Sequence, residues 1–250
     1  MTSASPSPSF APPEAVVPGV TLSAEPLQAL DHEVKFVFPG ATLAVARAIL
    51  SGACRREEPH AASLVETIYF DGPGLESLAE KLGSDYLKTK IRLRWYDHSP
   101  AVWLEVKRRV GSRREKLRLP VAAKAIDGRE LSRRSLDSPA LTRIPALLAD
   151  AREAVPAGLR PAVHLTYRRE RFVEPASGLR IALDSEITAL RIADWASAAP
   201  GIRQLPGNLR SPFLVELKGG NRDLPPGLAG LAALGGRRES FSKYSFCLLD

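Results

Sequence analysis

From position 32 to 38 the chain alternates His32, Val34, Phe36 and Phe38 with Glu33, Lys35 and Val37. That period of two is the signature of a strand with one buried face. Pro39-Gly40 closes it, and positions 41–50 carry apolar residues at helical spacing, with Thr42 placed as the cap. The same reading predicts strands over 63–70, 88–96, 102–109, 114–119, 162–173, 179–187 and 212–218. His98-Ser99-Pro100 and Gly111-Ser112 read as hairpin turns. Helical patterning falls at 75–82, across 121–153 with breaks near Pro139 and Pro145, and at 224–234 behind Pro225-Pro226. Long antiparallel strands with helices inserted between them predict an α+β fold.

Which face carries the charges matters more than the strands themselves. In an extended chain residues i and i+2 point the same way. Arg92 and Arg94 therefore oppose Ile91, Leu93 and Trp95, while Glu105 and Lys107 oppose Val102, Leu104 and Val106. Lys116 and Arg118 oppose Leu117 and Leu119; Arg180 and Asp184 oppose Ile181 and Leu183. Glu216 and Lys218 oppose Val215 and Leu217, and Glu33 and Lys35 oppose Val34 and Phe36. A solvated face has no reason to repeat Glu-x-Lys three times. A closed barrel of about eight strands, with helices covering its outside and charges lining its lumen, accounts for both rows. Only a polyanion or water makes so basic a lumen tolerable. Arg offers bidentate phosphate contacts, and Glu offers the oxygen ligands of a hard divalent cation.

Charge sharpens this picture. The net charge is +7, and the window 85–118 alone holds 11 basic and 4 acidic residues, so the excess is localised and points to one anionic partner. Residues 1–30, with six prolines and only Glu14 and Glu25 charged, read as a disordered Pro/Ser-rich tail ahead of a single domain over 31–250. Two cysteines, Cys54 and Cys247, exclude a disulfide scaffold, and no zinc-binding C-x-x-C or H-E-x-x-H is present. No apolar run reaches membrane-spanning length and no secretory signal opens the chain, so a cytoplasmic protein without a membrane span is expected.

The segments His32-Glu33-Val34-Lys35-Phe36, Tyr69-Phe70-Asp71, Lys90-Ile91-Arg92-Leu93-Arg94-Trp95-Tyr96, Leu104-Glu105-Val106-Lys107, Val215-Glu216-Leu217-Lys218 and Ser242-Lys243-Tyr244 follow one another in order. In that order they resemble VTC domains, the polyphosphate-polymerase branch of the CYTH-like triphosphate tunnel metalloenzymes. The resemblance implies an eight-stranded antiparallel β-tunnel that binds a nucleoside triphosphate with Mn²⁺ or Mg²⁺. It implies phosphotransfer from ATP to a growing inorganic polyphosphate chain. Carried onto this sequence, it makes Arg92, Arg94, Lys107, Arg169 and Lys243 catalytic. Lys35, Lys90, Lys116, Arg118, Arg180 and Lys218 would bind phosphate or nucleotide, and Glu216, with Glu33 and Glu105, would hold the metal.

Two other functions fit the pattern: a triphosphatase with water as acceptor, and a non-catalytic polyanion binder. Nucleic acid is disfavoured, because the basic residues alternate with aliphatics and pair with glutamates rather than interleaving with exposed aromatics. No feature identifies a protein partner. Arg108, Arg109, Arg113 and Arg114 read as a solvated hairpin tip, with gathering of product at a tunnel mouth as the second reading. Tyr69, Phe70, Trp95 and Trp103 are expected to pack beneath helices, and Tyr244 and Phe246 to close a last strand.

Overall fold

The computed structural model describes residues 33–83, 86–111, 113–199, 212–219 and 224–249. The expected tail over 1–30, His32, Ser112 of the predicted turn, most of a Gly/Pro-rich stretch over 195–212 that reads as a loop, and the residues 220–223 lie outside them. Eight long strands form one antiparallel sheet: β1 (Glu33–Phe38), β3 (Ala62–Asp71), β4 (Leu87–Tyr96), β5 (Val102–Val110), β6 (Arg113–Val121), β7 (Arg160–Val173), β8 (Arg180–Ile192) and β9 (Phe213–Lys218). Two-residue strands β2 (Arg55–Arg56) and β10 (Arg237–Arg238) pair at the margins. The order is β10-β1-β9-β8-β7-β3-β4-β5-β6. Each predicted strand is present, lengthened at one or both ends wherever cross-strand pairing continues past the local alternation.

Helices cover the convex side. Ile91, Leu93, Trp95, Leu104 and Val106 pack beneath α3 (Gly128–Arg134) and α4 (Ile144–Asp150) through Leu131, Ile144 and Leu148. Val34, Phe38, Leu183, Val215 and Leu217 pack beneath α1 (Leu43–Ala53) and a 3-10 helix, Pro226–Leu234. Gly128 lets α3 approach closely: a Cβ there would collide with the Ser99 carbonyl oxygen. Asp127 caps α3 by accepting from the Arg129 backbone N–H at 2.8 Å. The expected cap on α1 differs. Thr42 donates its hydroxyl backward to the Pro39 carbonyl at 2.9 Å instead of accepting from the helix.

Two further expectations are corrected. The ladder does not close, since no pairing joins β6 to β1 or β10 among the described residues; the sheet curls round a lumen and leaves a seam beside β6. Ser242-Lys243-Tyr244 does not lead into a strand either. Lys243–Leu249 is a helix, α6, seated inside the curl. Tyr244, Cys247 and Leu248 pack there with Val65, Tyr69, Val163, Tyr167 and Leu214, and with Leu78 of α2 (Glu76–Leu82). Its apolar residues match an interior that is apolar at that end. A last helix, α5 (Asp194–Ser197), follows β8.

Candidate active site

Register brings the charges of β4, β5 and β6 together. Arg92 is paired with Glu105, and Glu105 with Arg118; directly paired residues share a face, here the concave one. Arg92 donates to Glu105 Oε2 from Nε at 2.8 Å and Nη2 at 2.5 Å, and to the Tyr69 hydroxyl from Nη1 at 2.8 Å. Arg118 Nε stands 3.5 Å and Arg94 Nη1 3.7 Å from the same carboxylate. One anion serves three guanidiniums. Burial works against the Glu105 charge, but Arg92, Arg94 and Lys107 hold its carboxyl well below the usual range. The Nε atoms of Arg94 and Arg118 are buried without a hydrogen-bond acceptor.

One step along the strands, Lys90, Lys107 and Lys116 form a directly paired row. The Arg92 guanidinium pushes the Lys107 ammonium well below its ordinary value. Burial, with Lys35 and Arg92 nearby, brings Lys90 down to about 8 although Tyr69 pulls the other way. Lys90 donates to Ser242 Oγ at 2.9 Å, while Lys107 and Lys116 open to solvent.

The opposite wall is balanced. Arg169 on β7 grips Asp184 on β8 through two bonds of 2.6 Å and reaches Glu216 on β9 at 3.0 Å. Lys243 Nζ lies 2.6 Å from Asp184 and 3.3 Å from Glu216. Lys35 on β1 bridges Glu33 at 3.0 Å and Glu216 at 3.6 Å. Burial opposes all of these charges, yet Lys243, Lys35 and Arg169 hold Glu216 well below the carboxylate range. Asp184 and Glu216 in turn hold Lys243 above the ordinary lysine value. Glu33 reaches across the lumen electrostatically to Lys107, so the two walls face one water-accessible space.

Arg180 and Lys218 sit away from the arginine cluster. They line a cleft of about 40 Å³ at the rim with Glu57, Arg169 and Arg171, and Arg180 is tied to Glu57 at 2.9 Å. Sequence reasoning omitted Arg171, whose Nη1 donates to Ser63 Oγ at 3.1 Å; the alternation Tyr167, Arg169, Arg171 carried that signal. It also sent two aromatics to the wrong side. Trp95 and Phe70 do pack beneath helices, but Tyr69 faces Arg92 and stacks on Tyr244 at 5.0 Å. Trp103 lies under Arg118, 4.2 Å from its guanidinium carbon. In β3 the polar residues Glu66 and Thr67 are adjacent and so point to opposite faces, which left no alternation to mark the inward one.

The carboxylates can be tested against a divalent cation by their partners. Glu33 and Glu216, diagonal neighbours on β1 and β9, face the lumen with hard oxygen donors held ionised. No group of three His, Cys, Asp or Glu able to hold an ion stands among the described residues. The pair therefore fits an ion that takes its remaining ligands from substrate phosphates and water, as Mg²⁺ commonly does. Glu105 is enclosed by three guanidiniums, and Glu216 also meets three cations, Lys35, Arg169 and Lys243, so Glu33, tied among the described residues to Lys35 alone, is the more open donor.

A curled antiparallel sheet with helices outside and an over-cationic wall facing a carboxylate-bearing one defines a tunnel for phosphate chains. The chain belongs to the VTC domain family, whose model matches residues 27–249. That membership makes it a tunnel-type enzyme of phosphate chemistry, with polyphosphate and nucleotides as the general substrate class. No curated protein matches it. Among solved structures it is similar to HpAC1 of Hippeastrum, proposed as an adenylyl cyclase and described as having a dominant triphosphatase activity: 15% identity, 87% of this chain and 95% of that one, TM-score 0.49. It is similar too to the PH1819 protein of Pyrococcus horikoshii OT3, at 13% identity, 86% and 97% coverage and TM-score 0.44. No helix among the described residues is long and apolar enough to cross a membrane.

Proposed function

We propose that the chain is a metal-dependent polyphosphate polymerase that transfers the terminal phosphate of ATP to a phosphate chain held in the lumen. The observation that carries this reading is the pair of buried, acceptorless Nε atoms on Arg94 and Arg118, beside one shared carboxylate. A buried polar group left without a partner costs about 1–3 kcal/mol, and phosphate oxygens supply the missing acceptors without adding a cation. Arg92 and Arg94 clamp the reacting phosphates, and Lys107 neutralises charge as it spreads over the equatorial oxygens. Arg118, Lys90 and Lys116 extend the cationic wall, while Lys218 and Arg180 receive the nucleotide from the rim and Lys35 meets its phosphates beside Glu33 and Glu216. Arg169 and Lys243 orient Asp184 and Glu216 and keep them ionised. Glu216 and Glu33 would hold the divalent ion, which supplies charge neutralisation at the phosphate oxygens when bound. An oxygen of the acceptor chain's terminal phosphate attacks the γ-phosphorus, the bond to the β-phosphate oxygen breaks, and ADP leaves. No side-chain nucleophile is needed.

A second reading, hydrolysis with water as acceptor, is favoured by one observation: α6 fills part of the interior and shortens the path available to a long chain. Incubation with ATP and Mn²⁺ or Mg²⁺, with products resolved by size, separates the two. A ladder of phosphate chains with ADP supports the polymerase; orthophosphate without a ladder supports the hydrolase and removes the polymerase.

A further inference from the structure

The β5–β6 hairpin has two faces with opposite charge economies. On its convex face Arg113 pairs with Glu115 at 3.3 Å, and Arg108 pairs with Glu153. On the concave face two successive rows of three cations stand in register across β4, β5 and β6. They are Lys90, Lys107 and Lys116, then Lys88, Arg109 and Arg114 nearer the turn. Among the described residues none of the six makes an ion pair, and the only side-chain hydrogen bonds donated by Arg109 and Lys90 run to the Gly111 carbonyl and Ser242. Like charges directly opposite on paired strands are destabilising. Two consecutive rows of them, on the face that continues the Arg92–Glu105–Arg118 row, mark a surface shaped for a linear anion.

The route past α6 lies on this side. The helix and the segment before it contact Lys35, Lys90, Asp184 and Glu216, whereas Lys107, Arg109, Arg114 and Lys116 remain exposed. The seam beside β6 leaves that wall without a strand partner. Successive rows lie about 7 Å apart along the strands, so the two rows carry a chain well beyond the three phosphates held at the arginines.

We propose that Lys88, Arg109 and Arg114 form a track for inorganic polyphosphate, on which the part of the chain distant from the reacting end leaves the lumen past the β5–β6 turn. This rests on the phosphate-chain reading of the arginine cluster and adds a second subsite to it. It also divides the hairpin arginines: Arg109 and Arg114 belong to the track, Arg108 and Arg113 to the solvated face.

The test compares the full chain with a Lys88→Ala/Arg109→Ala/Arg114→Ala variant, titrated with tripolyphosphate and with polyphosphate of about a hundred units. Expected is a loss of long-chain affinity of about tenfold, a salt slope shallower by about 2, and unchanged tripolyphosphate affinity. Equal affinity of wild type and variant for the long chain overturns the track. So does an equal loss for both ligands, which makes the three cations part of a general field. If the wild type binds neither ligand, the phosphate-chain reading itself falls, an outcome distinct from either.

Discussion

Glu105 is the most consequential single side chain, because three guanidiniums depend on one carboxylate that is 1% exposed. Glu105→Gln keeps the shape and removes the charge, so the arginines repel without compensation. Breaking a buried ion pair from one side costs about 3–5 kcal/mol, and urea unfolding should show a loss of that order. Tripolyphosphate should restore much of it by binding only the folded state; a variant equally destabilised with and without the ligand contradicts the charge account. The lysines set a second expectation. Lys90 is lowered to about 8 in the fold, against 10.5 unperturbed. Between those values the unfolded chain binds more protons than the native one, so stability rises with pH across that window. Below about 8 the ammonium is charged in both states, and the fold bears the full repulsion. Lys90→Met should flatten the rise, measured as melting temperature from pH 7.5 to 10.5. Acid acts oppositely, since Glu105 and Glu216 are held well below their usual range and their contribution is lost as pH falls through those depressed values. At this scale the sequence shows which residues face inward, through the i, i+2 rule applied to Arg92, Glu105 and Lys107. It does not show that the Arg94 Nε lacks an acceptor or that Lys243 bridges two carboxylates, because those depend on contacts between distant segments.

Among the elements, α6 departs most from local reading. Its run Tyr244-Ser245-Phe246-Cys247-Leu248 is too short and too uniformly apolar to separate strand from buried helix by periodicity. Tertiary contacts decide it. Tyr244 stacks on Tyr69 and donates to Asp71 Oδ2 at 2.6 Å, and Asp71 also accepts from the backbone N–H groups of Ser77 and Leu78 at the start of α2. The plug thus locks the strand β3, the helix α2 and the lumen together. Tyr244→Phe should cost about 1–2 kcal/mol in urea unfolding, and no loss removes this coupling. The convex face gives a parallel expectation: Gly128→Ala forces α3 off the Ser99 carbonyl and should cost about 1–3 kcal/mol, read from the denaturation midpoint. The strands were legible because their alternation is local and repeated. The two-residue β2 and β10, the bulge in the β3–β7 pairing near Tyr69 and the seam beside β6 are properties of pairing, which alternation does not encode.

In the whole molecule the lumen is divided by charge. β4, β5 and β6 carry an excess of cations, while β1, β7, β8 and β9 with α6 match Lys35, Arg169 and Lys243 against Glu33, Asp184 and Glu216. The localised excess in the window 85–118 foretold the first wall, and the balanced wall emerges only when segments from both ends of the chain meet. On the proposed reading, such a division would orient a triphosphate, with its phosphates on the cationic wall and an accompanying cation on the carboxylates. The most direct measurement is calorimetric titration of tripolyphosphate into wild type and Arg94→Ala, run at pH 8 in two buffers of different ionisation enthalpy. Expected is wild-type binding with proton uptake, as the anion recharges Lys90, and an affinity about tenfold to a hundredfold weaker in Arg94→Ala, the cost of losing charged hydrogen bonds. Binding that takes up no protons and is indifferent to Arg94 would contradict the account.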